Sequence, residues 1–123
     1  MPILLIGLGG FAGAIARYLV DGAVAERVAG AFPWGTLAVN VSGSFLLGLL
    51  FALSADRPIL PAEIRGPLLI GFIGAYTTFS TVMLESWRLI ESGAVGLATA
   101  NLVGSIGVGL LALVGGLLLG RAL

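Results

Sequence analysis

The chain has 123 residues, of which 59% are hydrophobic and 10% charged, with a mean hydropathy of +1.14 and a formal net charge of zero. A water-soluble domain carries about a quarter charged residues, so these values exclude one and place almost the whole chain in a membrane, as a single compact domain. There is no cysteine and no histidine, which removes disulfide and thiol chemistry, the commonest metal ligand and the usual proton shuttle. The neutral balance shows none of the basic excess that marks a nucleic-acid partner.

The first apolar segment runs from about Pro2 to Leu19. It lacks a basic leader and further apolar segments follow closely, so it reads as a membrane helix and not as a cleaved signal. Gly9, Gly13 and Arg17 recur at four-residue spacing and share one face. Small residues at that spacing let helices approach closely. Arg17 and Tyr18 are expected to close this helix at an interface, with a polar loop over residues 21–31. Pro33 and Trp34 then open a second segment reaching about Ser54, since proline suits a helix start and tryptophan the membrane interface. Thr36, Asn40 and Ser44 form a polar stripe along it. Residues 55–65 hold Asp56, Arg57, Pro58, Pro61 and Glu63, a clear helix break.

The third segment spans about 66–90 and carries the most unusual stretch. Gly71 and Gly74 weaken the helix, and five hydroxyl or phenol groups follow: Tyr76, Thr77, Thr78, Ser80 and Thr81. Irregular backbone at membrane depth is tolerated only where it is buried in protein or lines a polar cavity. The stretch therefore predicts a helix broken near its middle, beside something polar. Glu85 reads as an interfacial charge near Arg88. The fourth segment spans about 94–119, with Asn101 and Ser105 sharing a face. Each segment suffices to cross a bilayer, which takes about 20 apolar residues. No internal repeat relates the two halves.

Four crossings put both termini on one side, with Arg57, Arg65 and Arg121; Arg17, Arg27 and Arg88 then fall on the other. Orientation is set by an arginine and lysine bias between sides, and three against three gives none. The expected architecture is an all-α membrane protein of four transmembrane helices that inserts both ways round and pairs as an antiparallel, dual-topology homodimer.

The mid-membrane polar groups are uncharged amides and hydroxyls, which can donate hydrogen bonds. With no acid or lysine expected at membrane depth, a proton-coupled pump is disfavoured, and a path of neutral donors suits a small anion. Phe79 can add the electropositive edge of its ring, and Arg17 can concentrate anions at a mouth. Each of these residues also has a packing role open to it, because Ser, Thr and Asn bond across membrane helices and arginine snorkels. No nucleophile–base pair or metal cluster can be assembled, so an enzyme is not expected.

Three runs, Gly9-Gly-Phe-Ala-Gly-Ala-Ile-Ala-Arg-Tyr18, Gly35-Thr-Leu-Ala-Val-Asn-Val-Ser-Gly-Ser-Phe45 and Gly71-Phe-Ile-Gly-Ala-Tyr-Thr-Thr-Phe-Ser-Thr81, resemble the Fluc/CrcB family of fluoride channels in order and spacing. The resemblance implies passive, fluoride-selective export through two antiparallel pores of a homodimer in a bacterial or archaeal plasma membrane. It implies that Asn40 lines the pore with Thr36 near it, and that Phe79 turns its ring edge to the ion. Ser80, Thr81 and Ser105 would continue a polar track, and Arg17 would stand by the aqueous vestibule. It also implies a structural sodium ion on the two-fold axis, held by the backbone carbonyls of Gly74 and Thr77 from both subunits. Two positions depart from the family: Val82 stands where a second pore phenylalanine falls, and Asn101 where a tyrosine is usual. Some family members pair unlike subunits, and the lost phenylalanine leaves that arrangement open here.

Two other readings stand beside this one. A small multidrug-type exporter shares the four-helix dual topology but needs a membrane-embedded acid in its first helix, and residues 2–20 contain none. A structural membrane subunit that moves nothing would tolerate apolar replacements at Asn40, Thr77 and Thr78.

Overall fold

The computed structural model describes residues 2–123. Four helical spans in it are long and apolar enough to cross a membrane: Pro2–Arg27, Trp34–Asp56, Ala62–Glu91 and Val95–Ala122. No strand occurs among the described residues.

Helix α1 (Pro2–Arg27) continues past Leu19, where the sequence suggested a loop. The extension contains Ala23, Ala25, Glu26 and Arg27, all strong helix formers, so the polar residues extend the helix instead of ending it. Arg17 and Tyr18 therefore lie well inside α1, and Asp21 is helical and half-buried. Helix α2 (Trp34–Phe51) begins after Pro33 and runs into a π-helical turn, Ala52–Asp56. Arg65 tightens that turn by donating to the Ser54 carbonyl at 2.8 Å.

The third span is irregular. A 3₁₀ turn (Ala62–Ile64) leads into a π-helical run, Gly66–Ile73, and then the single turn α3 (Gly74–Tyr76). Thr77 (φ −88°, ψ 158°) and Thr78 (φ −150°, ψ 117°) are extended. Helix α4 (Phe79–Glu91) starts afresh with Thr78 as its N-cap, whose hydroxyl accepts from the Thr81 N–H at 3.3 Å. Ser92 and Gly93 turn the chain into α5 (Val95–Ala122). Gly93 adopts φ +86° there, a left-handed conformation that closes helices at low cost only for glycine.

The packing is backbone-close. Helix α1 lies along the π-helical run, and α2 lies along α5. A Cβ on Gly13 would strike the Phe72 carbonyl oxygen, and one on Gly116 would strike that of Phe45. Lipid gives no hydrophobic drive for helix association, so such close van der Waals contact must supply it. The outer faces remain apolar and bare, with Leu8, Phe11, Leu111 and Leu118 exposed.

Candidate functional site

The site is built on the two extended residues between α3 and α4. An interrupted helix strands backbone polar groups, and in a membrane each must find a partner inside the protein. Asn40, one side chain on the neighbouring α2, supplies two at once. Its Oδ1 accepts from the Thr78 N–H at 2.7 Å, and its Nδ2 donates to the Thr78 carbonyl at 3.0 Å. Arg17 reaches across from α1, its Nε donating to the Ala75 carbonyl at 3.1 Å. Thr77 turns back on its own helix, its N–H and Oγ1 both donating to the Ile73 carbonyl, at 3.0 and 2.9 Å. The carbonyl oxygens of Gly74 and Thr77 accept no hydrogen bond among the described residues. They are the hard oxygen ligands that an unwound helix offers to a small cation.

Two cavities meet at this junction. The larger, about 270 Å³, is a groove between α2, α4 and α5 lined by Asn40, Ser44, Thr77, Thr78, Phe79 and Ser105 together with apolar side chains, and no charged residue faces it. The smaller, about 80 Å³, is lined by Arg17, Asp21, Thr36, Thr78, Thr81 and Val39. Thr78 borders both, so the residues singled out from sequence sort into two groups on either side of the Asn40–Thr78 pair. Asn40, Phe79 and Ser105 stand with the groove; Arg17, Thr36 and Thr81 stand with the charged cavity. Phe79 is 76% exposed, its ring forming the open lip of the groove. Ser80 is exposed and lines neither cavity.

Glu85 is not the interfacial partner of Arg88 that its spacing suggested. It turns toward α2, where the Thr36 hydroxyl donates to its Oε2 at 2.9 Å, and its Oε1 is buried without a partner. It lies on the face of α4 that carries Thr78 and Thr81 and bonds Thr36, which lines the smaller cavity, whereas the acid in that lining is Asp21. No local signal could have found this, because the contact joins residues 49 apart in the chain. Val82 is buried within the protomer. Asn101 is fully buried and donates to the Ser86 hydroxyl on α4 at 2.9 Å, away from the groove.

A sequence model of the CrcB-like protein, Camphor Resistance (CrcB) family matches residues 4–117. The chain belongs to that family. CrcB-like relatives are similar along nearly their whole length. The chain is 46% identical over 121 residues to a "Fluoride-specific ion channel FluC" of Magnetococcus marinus, covering 98% of each chain. It is 47% identical over 122 residues to a protein of the same name from Agrobacterium fabrum, covering 98% of this chain and 97% of that one. A third, from Maridesulfovibrio salexigens, is 46% identical over 118 residues, 96% of this chain and 94% of that one. These CrcB-like relatives are named as ion channels, which is not an enzymatic function, and the four apolar spans make this chain a multi-pass membrane protein.

Proposed function

We propose that this CrcB-like chain is a fluoride-selective channel that lets the ion leave the cell passively, working as an antiparallel pair of copies with a path along each groove. One observation carries the reading: in a family whose relatives are named fluoride-specific ion channels, the larger of the two cavities that meet at Thr78 presents only neutral donors. A small halide gives up its water only where donors replace it. Amide and hydroxyl groups do so without the fixed positive charge that would hold the ion. Asn40 supplies one, since its Nδ2 carries two protons and only one is given to Thr78. The Phe79 ring edge and the Ser105 hydroxyl follow, while Thr36, Thr81 and Arg17 serve the approach through the smaller cavity. Ser80 points outward with Phe79 and completes the track from the face a second copy covers.

A single copy leaves the groove open and most of the Phe79 ring bare; a second copy inserted the other way round closes both. The even arginine count permits such insertion. A sodium ion fits the Gly74 and Thr77 carbonyls, whose oxygens are free and uncharged; two from each copy give it a cage and fix the copies together. Bound there, the ion would offset the mutual repulsion of those carbonyl dipoles, and fluoride movement along the groove would not involve it.

Fluoride efflux from liposomes loaded with the ion and holding the purified protein tests this, read with a fluoride electrode under conditions that clamp the membrane potential. The proposal expects rapid release and none above empty liposomes for chloride. Fluoride release at the rate of empty liposomes overturns it.

A further inference from the structure

The groove at the Thr78 junction does not end at Asn40. A second cavity of about 330 Å³ continues between α2 and α5, and the two share Leu47, Ile106 and, as their only polar side chains in common, Ser44 and Ser105. Beyond that pair the second cavity is walled by Leu47, Ile106, Gly109, Leu110 and Leu113 alone.

The two serines behave unlike the other hydroxyls of these helices. A serine or threonine in a membrane helix ordinarily satisfies its O–H on a carbonyl one turn back. Ser42 does so on Val39, Ser54 on Phe51, Thr77 on Ile73 and Thr99 on Val95. Ser44 makes no such bond among the described residues, and the Ser105 Oγ is buried with no partner. A buried donor left unmade is costly, so the Ser105 hydroxyl, with the unpaired Ser44 hydroxyl open to the same cavity, calls for an acceptor from outside the chain. The opening beside them is kept by Gly109, where an added Cβ would come within 3.7 Å of the Ser44 Oγ.

We propose that Ser44 contacts the permeating halide, forming with Ser105 a second donor site one helical turn beyond Asn40. Asn40 and Ser44 share a face of α2, their Cβ atoms about 6 Å apart as four-residue neighbours are. A halide released by the Asn40 amide is thus received by a hydroxyl before it reaches apolar walls. Multiple adjacent sites let an ion enter favourably and still leave. This site rests on the reading of the groove as the fluoride path.

The test compares fluoride efflux from liposomes for the wild-type chain, Ser44→Ala and Ser44→Thr, each first shown monodisperse and of unchanged melting temperature. Losing one donor to the ion lowers the rate about tenfold in Ser44→Ala, and Ser44→Thr, which keeps the hydroxyl, stays near wild type. The fluoride concentration giving half-maximal flux also rises in Ser44→Ala, a shift that a packing role would not produce. If Ser44→Ala does not fold, Ser44→Gly replaces it in the same comparison. Wild-type efflux with an equally fast Ser44→Ala overturns the Ser44 site and leaves the channel reading standing. A wild-type chain that releases no fluoride overturns both.

Discussion

Asn40 and Thr78 are bonded twice, the side-chain amide of one pairing with both backbone groups of the other at 2.7 and 3.0 Å. One residue thereby satisfies both backbone groups of Thr78, which the interruption leaves without helical partners. The same amide keeps one N–H free beside the groove, so the group that holds the interruption in shape also lines the groove.

This pairing makes Asn40 the position where structure and conduction are hardest to separate, and three substitutions separate them. Asn40→Ala orphans two part-buried backbone groups, each worth up to about 1–3 kcal/mol, and is expected to lower the melting temperature in detergent and abolish fluoride efflux. Asn40→Asp still accepts from the Thr78 N–H but sets a carboxylate against its carbonyl, so it is expected to be partly stable and not conducting. Asn40→Gln carries the same amide one carbon further and is expected to conduct poorly for want of fit. Thermal unfolding followed by tryptophan fluorescence, beside efflux, checks all three.

Arg17 has a structural bond and a charge, and they predict different losses. Its Nε holds the Ala75 carbonyl at 3.1 Å, which Arg17→Lys cannot match in geometry although it keeps the charge. Arg17→Gln removes the charge. If Arg17 raises local anion concentration, efflux by Arg17→Gln falls several-fold at low ionic strength and recovers toward wild type as salt screens the field over about 10 Å at 0.1 M. Flux measured against ionic strength for the two variants reads this directly.

Glycine positions divide sharply. Gly116→Ala places a methyl against the Phe45 backbone, and Gly13→Ala against that of Phe72. Neither backbone can give way without parting α2 from α5 or α1 from the π-helical run, so each is expected to cost about 1–3 kcal/mol or more. Gly104 has nothing within 4 Å of an added Cβ, and Gly104→Ala is expected to leave the lone protomer's packing unchanged. Melting temperature and yield of monodisperse protein check the contrast.

The Gly74 and Thr77 carbonyls cannot be mutated away, but the sodium ion proposed to sit on them can be withheld. Purification in N-methyl-D-glucamine in place of sodium is expected to lower thermal stability and loosen the pair of copies, with sodium restoring both and potassium restoring them less well. Unchanged stability and assembly across all three cations would remove sodium from the account.

Hydropathy alone gave four spans, because a run of about 20 apolar residues has few other uses. The glycines and hydroxyls of residues 71–81 pointed to the place where Thr77 and Thr78 leave the helix, since they weaken it and offer caps. What stayed hidden was long-range or a matter of degree. The Thr36–Glu85 and Arg17–Ala75 bonds join residues 49 and 58 apart, and no local pattern encodes them. Polarity alone marks Asp21 as a loop residue, whereas its alanine, glutamate and arginine neighbours sustain α1 to Arg27. The division of Thr36, Thr81 and Arg17 from Phe79 and Ser105 needed the two cavities, for all of them sit on plausible polar faces.

The central claim is that the groove passes fluoride down its own gradient and refuses chloride. Current across a planar bilayer holding the wild-type protein, with fluoride unequal and chloride unequal in the opposite sense on the two sides, tests it most directly. The account predicts a reversal potential at the fluoride equilibrium potential; reversal at the chloride potential, or at the proton potential, would contradict it.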